Sequence, residues 1–390
     1  MAAKVRRFNQ RLQPFGSTIF SEITQRATSA GAINLGQGFP NFDGPDFVKE
    51  AAIEAIRQGM GQYAPSIGLP ALGEAIAVRY RPSLGEIDPH RHVTVTSGCT
   101  EALASTLLGV LQPGDGVVVI EPTYDAYPAD LALAGAHPQF LTLRPPDFRL
   151  DPERLESVVT KATRAIVLNT PHNPSGHVFT RDELEAIADL CCRNDLIAIT
   201  DEVYEHMVYE GSHISLAALE GMWERTITLS SLGKTFSLTG WKVGWAVAPD
   251  ELTRAVRSAH QFLTFATATP LQYAASVALG APSSYYEELR ASYLSKRNLL
   301  ATGLEELGFE VFLPKGTYFL MADHRRFGDQ DDVAFVHRLI DEFGVAAIPP
   351  SAFYHNADDA RSLVRFAFCK DEATLTEALV RLSNLKPVDP

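Results

Sequence analysis

Lys234 sits in the stretch SSLGKTF (230–236), directly behind TITL (226–229), an apolar, β-branched run that reads as a strand. A lysine there has three chemistries open to it. It can grip a phosphate, act as an amine nucleophile, or sit in solvent, the usual fate of lysines. A phosphate-binding loop needs a glycine five residues ahead of Gly233, and that position is Thr228. No G-x-G-x-x-G fingerprint, G-x-S-x-G elbow or H-E-x-x-H motif occurs, and the histidines of HRH (90–92) have no metal-ligand partners near them in sequence. The amine reading remains, and the residues behind the other strand-like runs strengthen it.

HVTVT (92–96) runs into SGCTEAL, where small residues open a helix; free N–H groups and the helix dipole make that turn a seat for a phosphate. GVVVI (116–120) runs into EPTYDAY and brings Tyr124. RAIVLN (164–169) leads to TPHNPSG with Asn173, and LIAIT (196–200) to DEVYEH with Asp201 and Tyr204. Ligands of open α/β sheets bind beyond the carboxyl ends of the strands, so these side chains share one rim. A phosphate seat, an acid, a tyrosine, an aromatic face and an amine together suit pyridoxal 5'-phosphate. Its aldehyde forms a Schiff base with an amine, and its ring nitrogen stays protonated opposite a carboxylate. Its 3-oxygen takes hydrogen-bond donors, and its flat ring takes an aromatic partner.

The elements that must position this rim are legible in outline. From about residue 92, nearly continuous apolar runs, the pattern of strands buried on both faces, alternate with helical patterns; PQFLTL (138–143) and KVGWAV (242–247) complete the strand set. EALASTLLGVL and RDELEAIADLCCRN (181–194) fit as helices between them, which predicts an α/β fold with a mostly parallel, doubly covered sheet. The last third differs. ELRASYLSKRNLLATGLEELG (288–308) reads as a long amphipathic helix, GTYFLMA and GVAAIP as strands of a smaller sheet, and DEATLTEALVRLSNL as a closing helix with Asp371 as N-cap. We expect a large cofactor-binding domain over residues 46–280 and a smaller α+β domain formed by 281–390 together with the N-terminal segment 1–45.

Composition limits the function classes. The 390 residues are 46% hydrophobic, enough for a large core, and the net charge of −13 offers no footprint for nucleic acid. MAAKVRRFNQRLQPF leads into no apolar core of a secretory signal, and ALASTLLGVL (102–111) is far too short and interrupted to span a membrane. Cys99, Cys191, Cys192 and Cys369 show no paired framework or C-x-x-C spacing, so a soluble cytoplasmic protein is expected.

Taken together, INLGQGFPNFDGP (33–45), NTPHNPSG (169–176), TDEVYEHMVYEG (200–211), GMWERTITLSSLGKTFSLTGWKVGW (221–245), KGTYFL (315–320), VAAIPPSAFY (345–354) and VRFAFCKDEATL (364–375) resemble class I aminotransferases, the fold-type I pyridoxal-phosphate enzymes. The likeness covers nearly the whole chain. It is strongest to the group of kynurenine aminotransferase, glutamine transaminase K and the bacterial methionine aminotransferases. It implies that Lys234 carries the Schiff base, Asp201 pairs with the pyridinium nitrogen, and Tyr204 and Asn173 bond the 3-oxygen. Tyr124 stacks on the ring. Ser231 and Lys242, with the backbone at Cys99 and Thr100, hold the phosphate. Arg365 clamps the substrate α-carboxylate with Asn173 and the backbone of Gly38. Tyr63, in GQYAPSIG, reaches the phosphate of the partner subunit of a homodimer with shared active sites. Two departures stand out: Ala266 occupies a position where the kynurenine enzyme has histidine, and the phosphate turn reads SGCT in place of a doubled glycine.

Each residue also has a plainer role to weigh. Asp201 ends an apolar strand, where an unpaired carboxylate costs several kcal/mol, yet it also suits a helix N-cap. Arg365 alternates with apolar neighbours in VRFAF; its planar fork binds a carboxylate bidentately, but a structural ion pair would place it equally well. Tyr124 and Tyr63 suit a packed core. Cys99 reads as a packing residue, because His172 and His177 form no triad with it. Trp241 and Trp245, four apart, read as core, while Phe15, Phe353 and Tyr354 are candidates for a substrate pocket. The expectation is ping-pong transfer of an amino group from an L-amino acid of kynurenine, methionine, glutamine or aromatic type to a 2-oxo acid. N-succinyl-diaminopimelate transamination and cysteine-conjugate β-elimination are the alternatives.

Overall fold

The computed structural model describes residues 9–16, 18–329 and 331–388; the first eight residues of the basic N-terminal stretch lie outside the described residues. The seven predicted strands form one sheet in the order Val93–Thr96, Gly244–Val247, Thr226–Ser231, Ile197–Asp201, Thr163–Asn169, Gly116–Glu121, His137–Thr142. All neighbours are parallel except Gly244–Val247, which runs antiparallel to both strands beside it. Helices cover both faces, so Val117, Val119, Ala165, Val167, Ile199 and Ile227 pack on one side while Val118, Ile120, Ile166, Leu168 and Ala198 pack on the other. That two-sided burial is the physical origin of the unbroken apolar runs in the sequence.

The reversed strand matters for function. Its neighbours end at Thr96 and Ser231, and its own beginning, Gly244, pairs with both. Lys242, which precedes this strand, therefore reaches the same rim as the strand ends that carry Asn169, Asp201 and Ser231. Gly244 permits the approach: a Cβ there would lie 2.5 Å from the backbone carbon of Gly98.

Two smaller sheets flank the large one. Leu363–Ala367, Phe319–Asp323 and Glu310–Phe312 form an antiparallel sheet, with Arg365 opposite Met321. GTYFLMA supplies its central strand. GVAAIP divides its pairing: Val345–Ala346 pairs in parallel with Ile33–Asn34, joining the N-terminal segment to the C-terminal third, while Ile348 bridges Arg365 of the antiparallel sheet through two backbone hydrogen bonds of 3.0 Å. Apolar content alone carries no information on which partner a two-residue strand selects. The long helix spans Ser283–Leu307, and the closing helix Glu372–Leu382 is capped by Asp371, which accepts from Thr374 N at 2.7 Å. Trp245 is buried and donates to Tyr80, whereas Trp241 is only half-buried. Among the described residues no helix is long and apolar enough to cross a membrane.

Candidate active site

The strand ends open onto one cavity of about 810 Å³, counting its open mouth, lined by Cys99, Thr100, Tyr124, Asn173, Asp201, Tyr204, Ser231, Lys234 and Lys242. These are all the predicted cofactor-binding residues except Tyr63. Lys234 lies in the short helix Leu232–Thr235 that caps the Thr226–Ser231 strand. Its Nζ donates to the Gly38 carbonyl at 3.5 Å and sits 5.6 Å from the ring centres of both Tyr204 and Tyr318. Burial pulls the amine below the ordinary lysine value, because the charged form loses its hydration.

Asp201 is the last residue of its strand and 9% exposed. Its Oδ2 accepts from the Tyr127 phenol at 2.8 Å, and its Oδ1 accepts from Val203 N at 3.3 Å and from the Cys99 thiol at 3.6 Å. Burial raises its pKa, and these three donors oppose the rise. Burial also pushes the Cys99 thiol well up, so this sulfur is a neutral donor and not a thiolate nucleophile. Asn169, register partner of Asp201, donates to the Asp201 carbonyl and accepts from Asn173 N at 2.6 Å, which fixes the turn that presents Asn173.

Arg365 is 1% exposed in the middle strand position of VRFAF. It donates to Gly36 O at 2.8 Å and to Asn173 Oδ1 at 3.3 Å, while its Nε is buried without a partner among the described residues. Phe319, Phe353 and Phe20 surround the guanidinium at 4.2, 4.9 and 5.3 Å, and burial among them lowers its pKa to about 10. Among the described residues no carboxylate forms an ion pair with Arg365, so the structural ion pair is not formed there. Gly38, whose carbonyl also accepts from Tyr318 OH at 2.5 Å, lies between these two centres; a Cβ on it would meet the Phe319 ring at 2.6 Å.

Three predicted residues fall elsewhere. Tyr63 is 84% exposed and makes an edge-to-face contact of 5.4 Å with Phe265. Phe15 is exposed, and Tyr354 is buried with an unbonded hydroxyl; only Phe353 of that aromatic group touches the site, through Arg365. Sequence reasoning missed Tyr127, three residues beyond Tyr124 in EPTYDAY, although one helical turn brings both to the same side. It also missed Thr239, five residues beyond Lys234 in the same stretch, and Tyr318, which becomes a neighbour of Lys234 only through long-range folding. Behind Asp201 lies a second polar group. Glu202 binds His213 at 2.8 Å and Ser215 at 3.0 Å, and Glu205 accepts from Ser230 at 3.2 Å with Arg79 nearby, although burial still raises the Glu205 pKa.

Comparison with known proteins places this geometry. The family model "Aminotransferase class I and II" matches residues 30–382. A probable N-succinyldiaminopimelate aminotransferase of Mycobacterium tuberculosis is 46% identical over 96% of this chain and 98% of its own length. A solved structure of N-succinyldiaminopimelate aminotransferase from M. tuberculosis superposes with a TM-score of 0.95 at 46% identity, over 97% of this chain and 100% of that one. The methionine aminotransferase of Escherichia coli is 40% identical over 96% of this chain and 97% of its own.

Proposed function

Because the chain belongs to the class I and II aminotransferase family, an enzyme family dependent on pyridoxal phosphate, we propose that the cavity at the strand ends is its active site and that Lys234 is the reactive amine. The observation that carries this reading is that Lys234, its charge weakened by burial, faces the same cavity as the buried carboxylate of Asp201.

The residues fit the cofactor. Gly98, at φ +77°, turns the backbone at the start of the Gly98–Val110 helix where Gly98, Cys99 and Thr100 line the cavity, and a Cβ there would lie 3.1 Å from the end of Lys242. We assign the phosphate to this turn with Ser231 and Lys242, the pyridinium to Asp201, the 3-oxygen to Tyr204 and Asn173, and the ring face to Tyr124. Bound there, pyridoxal phosphate supplies an aldehyde that takes up an amino group and a ring that withdraws electrons from the substrate Cα. The orphaned Nε of Arg365 and its fork bind the α-carboxylate, with Asn173 and the Gly38 backbone beside it. An ordinary lysine, at a pKa of about 10.4, is a poor base at neutral pH; the desolvated Lys234 amine takes the Cα proton more readily.

We further read residues 46–280 as the large domain and 1–45 with 281–390 as the small one, and the protein as a cytoplasmic homodimer. The exposed Tyr63, in edge-to-face contact with the exposed Phe265, supports a partner subunit covering this face. The donors are amino acids with aromatic, sulfur-containing or amide side chains, in keeping with the phenylalanines around Arg365. N-succinyl-diaminopimelate is the second reading, favoured by the 46% identical mycobacterial relative.

The test is the visible spectrum of the protein loaded with pyridoxal phosphate while kynurenine, methionine, glutamine and N-succinyl-diaminopimelate are added in turn. One donor should bleach the yellow band and yield its keto acid alone; pyruvate with ammonia from a cysteine conjugate would point to elimination instead. A Lys234→Ala protein that still turned over at the wild-type rate would end the assignment.

A further inference from the structure

His260 lies outside the cavity lining, is 1% exposed, and uses both ring nitrogens. Its Nε2 is 2.8 Å from the carbonyl oxygen of Ser66, which only accepts, so Nε2 carries a proton. Its Nδ1 is 3.0 Å and 3.2 Å from the two carboxylate oxygens of Glu101. That carboxylate also accepts from Ser97 N at 2.9 Å and bonds the Ser105 hydroxyl. A carboxylate collecting an N–H donor and a hydroxyl is ionised, so Nδ1 carries a proton as well. His260 is then an imidazolium in a buried pair with Glu101.

The two ends of this pair are functionally distinct. Glu101 stands in the first turn of the Gly98–Val110 helix, and its grip on Ser97 N fixes the turn immediately before Gly98, Cys99 and Thr100. Ser66 belongs to the loop that carries Tyr63. Further along that loop, the Ile67 carbonyl accepts from Val95 N at 3.0 Å. His260 stands on the Asp250–Leu263 helix, and the charged group acting on its imidazole is Glu101, reached from the Gly98–Val110 helix.

We propose that His260, as an imidazolium bridging Glu101 and the Ser66 carbonyl, is a positioning residue that locks the phosphate-binding turn to the Tyr63 loop. The proposal rests on the assignment of the phosphate to residues 98–100. Burial works against both charges, yet Glu101 still raises the pKa of His260, and His260 and Ser105 still lower that of Glu101. The lock is therefore closed between the carboxylate range and a pH above the usual histidine value of about 6.5, and it opens as pH rises through the raised histidine pKa.

The first measurement is the imidazole nitrogen NMR spectrum of the wild-type holoenzyme at about pH 6.5, close to the ordinary imidazole value. Both nitrogens of His260 should be protonated; a neutral tautomer at that pH overturns the proposal without any variant. The second is the affinity of apoprotein for pyridoxal phosphate and for phosphate-free pyridoxal. His260→Leu should weaken pyridoxal phosphate binding about tenfold and leave pyridoxal unchanged, and His260→Gln, which keeps one donor, should fall between. If His260→Leu binds both ligands as wild type does, the proposal is wrong while the active-site assignment stands. A wild-type protein that binds neither ligand would instead remove the assignment on which the proposal rests.

Discussion

The Tyr127 phenol donates a hydrogen bond of 2.8 Å to Oδ2 of Asp201, so the carboxylate at the base of the cavity is held from the side by a residue of the strand–helix unit that begins with Gly116–Glu121, beyond the intervening Thr163–Asn169 strand. Tyr127 is 3% exposed and makes this its polar contact in a setting of otherwise apolar neighbours.

Tyr127→Phe removes the donor without opening a cavity. A buried carboxylate left short of a partner costs about 1–3 kcal/mol, so thermal unfolding should shift down by a few degrees. The loss also lets burial raise the Asp201 pKa further. Because a raised carboxylate pKa favours the neutral form, Asp201 should lose its charge at a higher pH than in wild type. The acid limb of kcat/KM, followed from pH 5 to 8, should therefore move upward. An unchanged acid limb together with unchanged stability would mean that this bond contributes nothing to the state of Asp201.

Arg365→Lys keeps a positive charge but loses the fork. Lysine offers a compact ammonium, and the bonds to Gly36 O and Asn173 Oδ1 require two separated donors. The expected loss in kcat/KM is about a hundredfold for every amino-acid donor, corresponding to about 2.7 kcal/mol, with cofactor affinity unchanged. A loss confined to one donor would move Arg365 from the α-carboxylate to side-chain recognition.

The central sheet was readable because burial on both faces leaves uninterrupted apolar runs, and the residues just past those runs include most of the cavity wall. What was not readable depends on contacts across long separations. Tyr318 meets Lys234 only because the Phe319–Asp323 strand packs beside the cavity, and His260 meets Glu101 across 159 positions. Nothing local distinguishes a histidine at the end of an amphipathic helix from any other. The pairing of Val345–Ala346 with Ile33–Asn34 went unread for the same reason: two residues carry too little pattern to select a partner.

Glu183 tests the stability side of the fold. It forms a capping box with Thr180, accepts from Leu150 N at 2.8 Å, and binds His177 Nε2 at 3.0 Å, at 4% exposure. Burial alone would raise its pKa, but His177 and the backbone donors outweigh it and hold the carboxyl at about 2. A depressed carboxylate pKa stabilises the fold above the unfolded value of about 4.3, and that contribution fades as pH falls toward 2. Glu183→Gln should therefore destabilise at pH 7 by up to about 3 kcal/mol and flatten unfolding-midpoint curves between pH 5 and 2. A variant whose stability deficit is the same at pH 7 and pH 3 would show that the charge of Glu183 is not what stabilises this corner.

Gly98 and Gly244 face each other at the phosphate turn, and their alanine variants should differ in kind. At Gly98 the added Cβ meets the flexible end of Lys242 at 3.1 Å, which can swing away; the remaining cost is the left-handed φ of +77°, about 1 kcal/mol. At Gly244 the Cβ meets the backbone of Gly98 at 2.5 Å and of Cys99 at 2.6 Å, neither of which can yield without shifting the strand or the turn. Gly98→Ala should fold, lose about 1 kcal/mol, and bind pyridoxal phosphate several-fold more weakly, because displacing Lys242 removes a cation from the phosphate seat. Its affinity for phosphate-free pyridoxal should not change. Gly244→Ala should lose stability by clearly more and weaken both ligands, since it moves the Val93–Thr96 and Thr226–Ser231 strand ends as well. If Gly98→Ala weakened pyridoxal as much as its phosphate ester, the turn would hold the ring and not the phosphate, and the orientation assigned to the cofactor would be reversed.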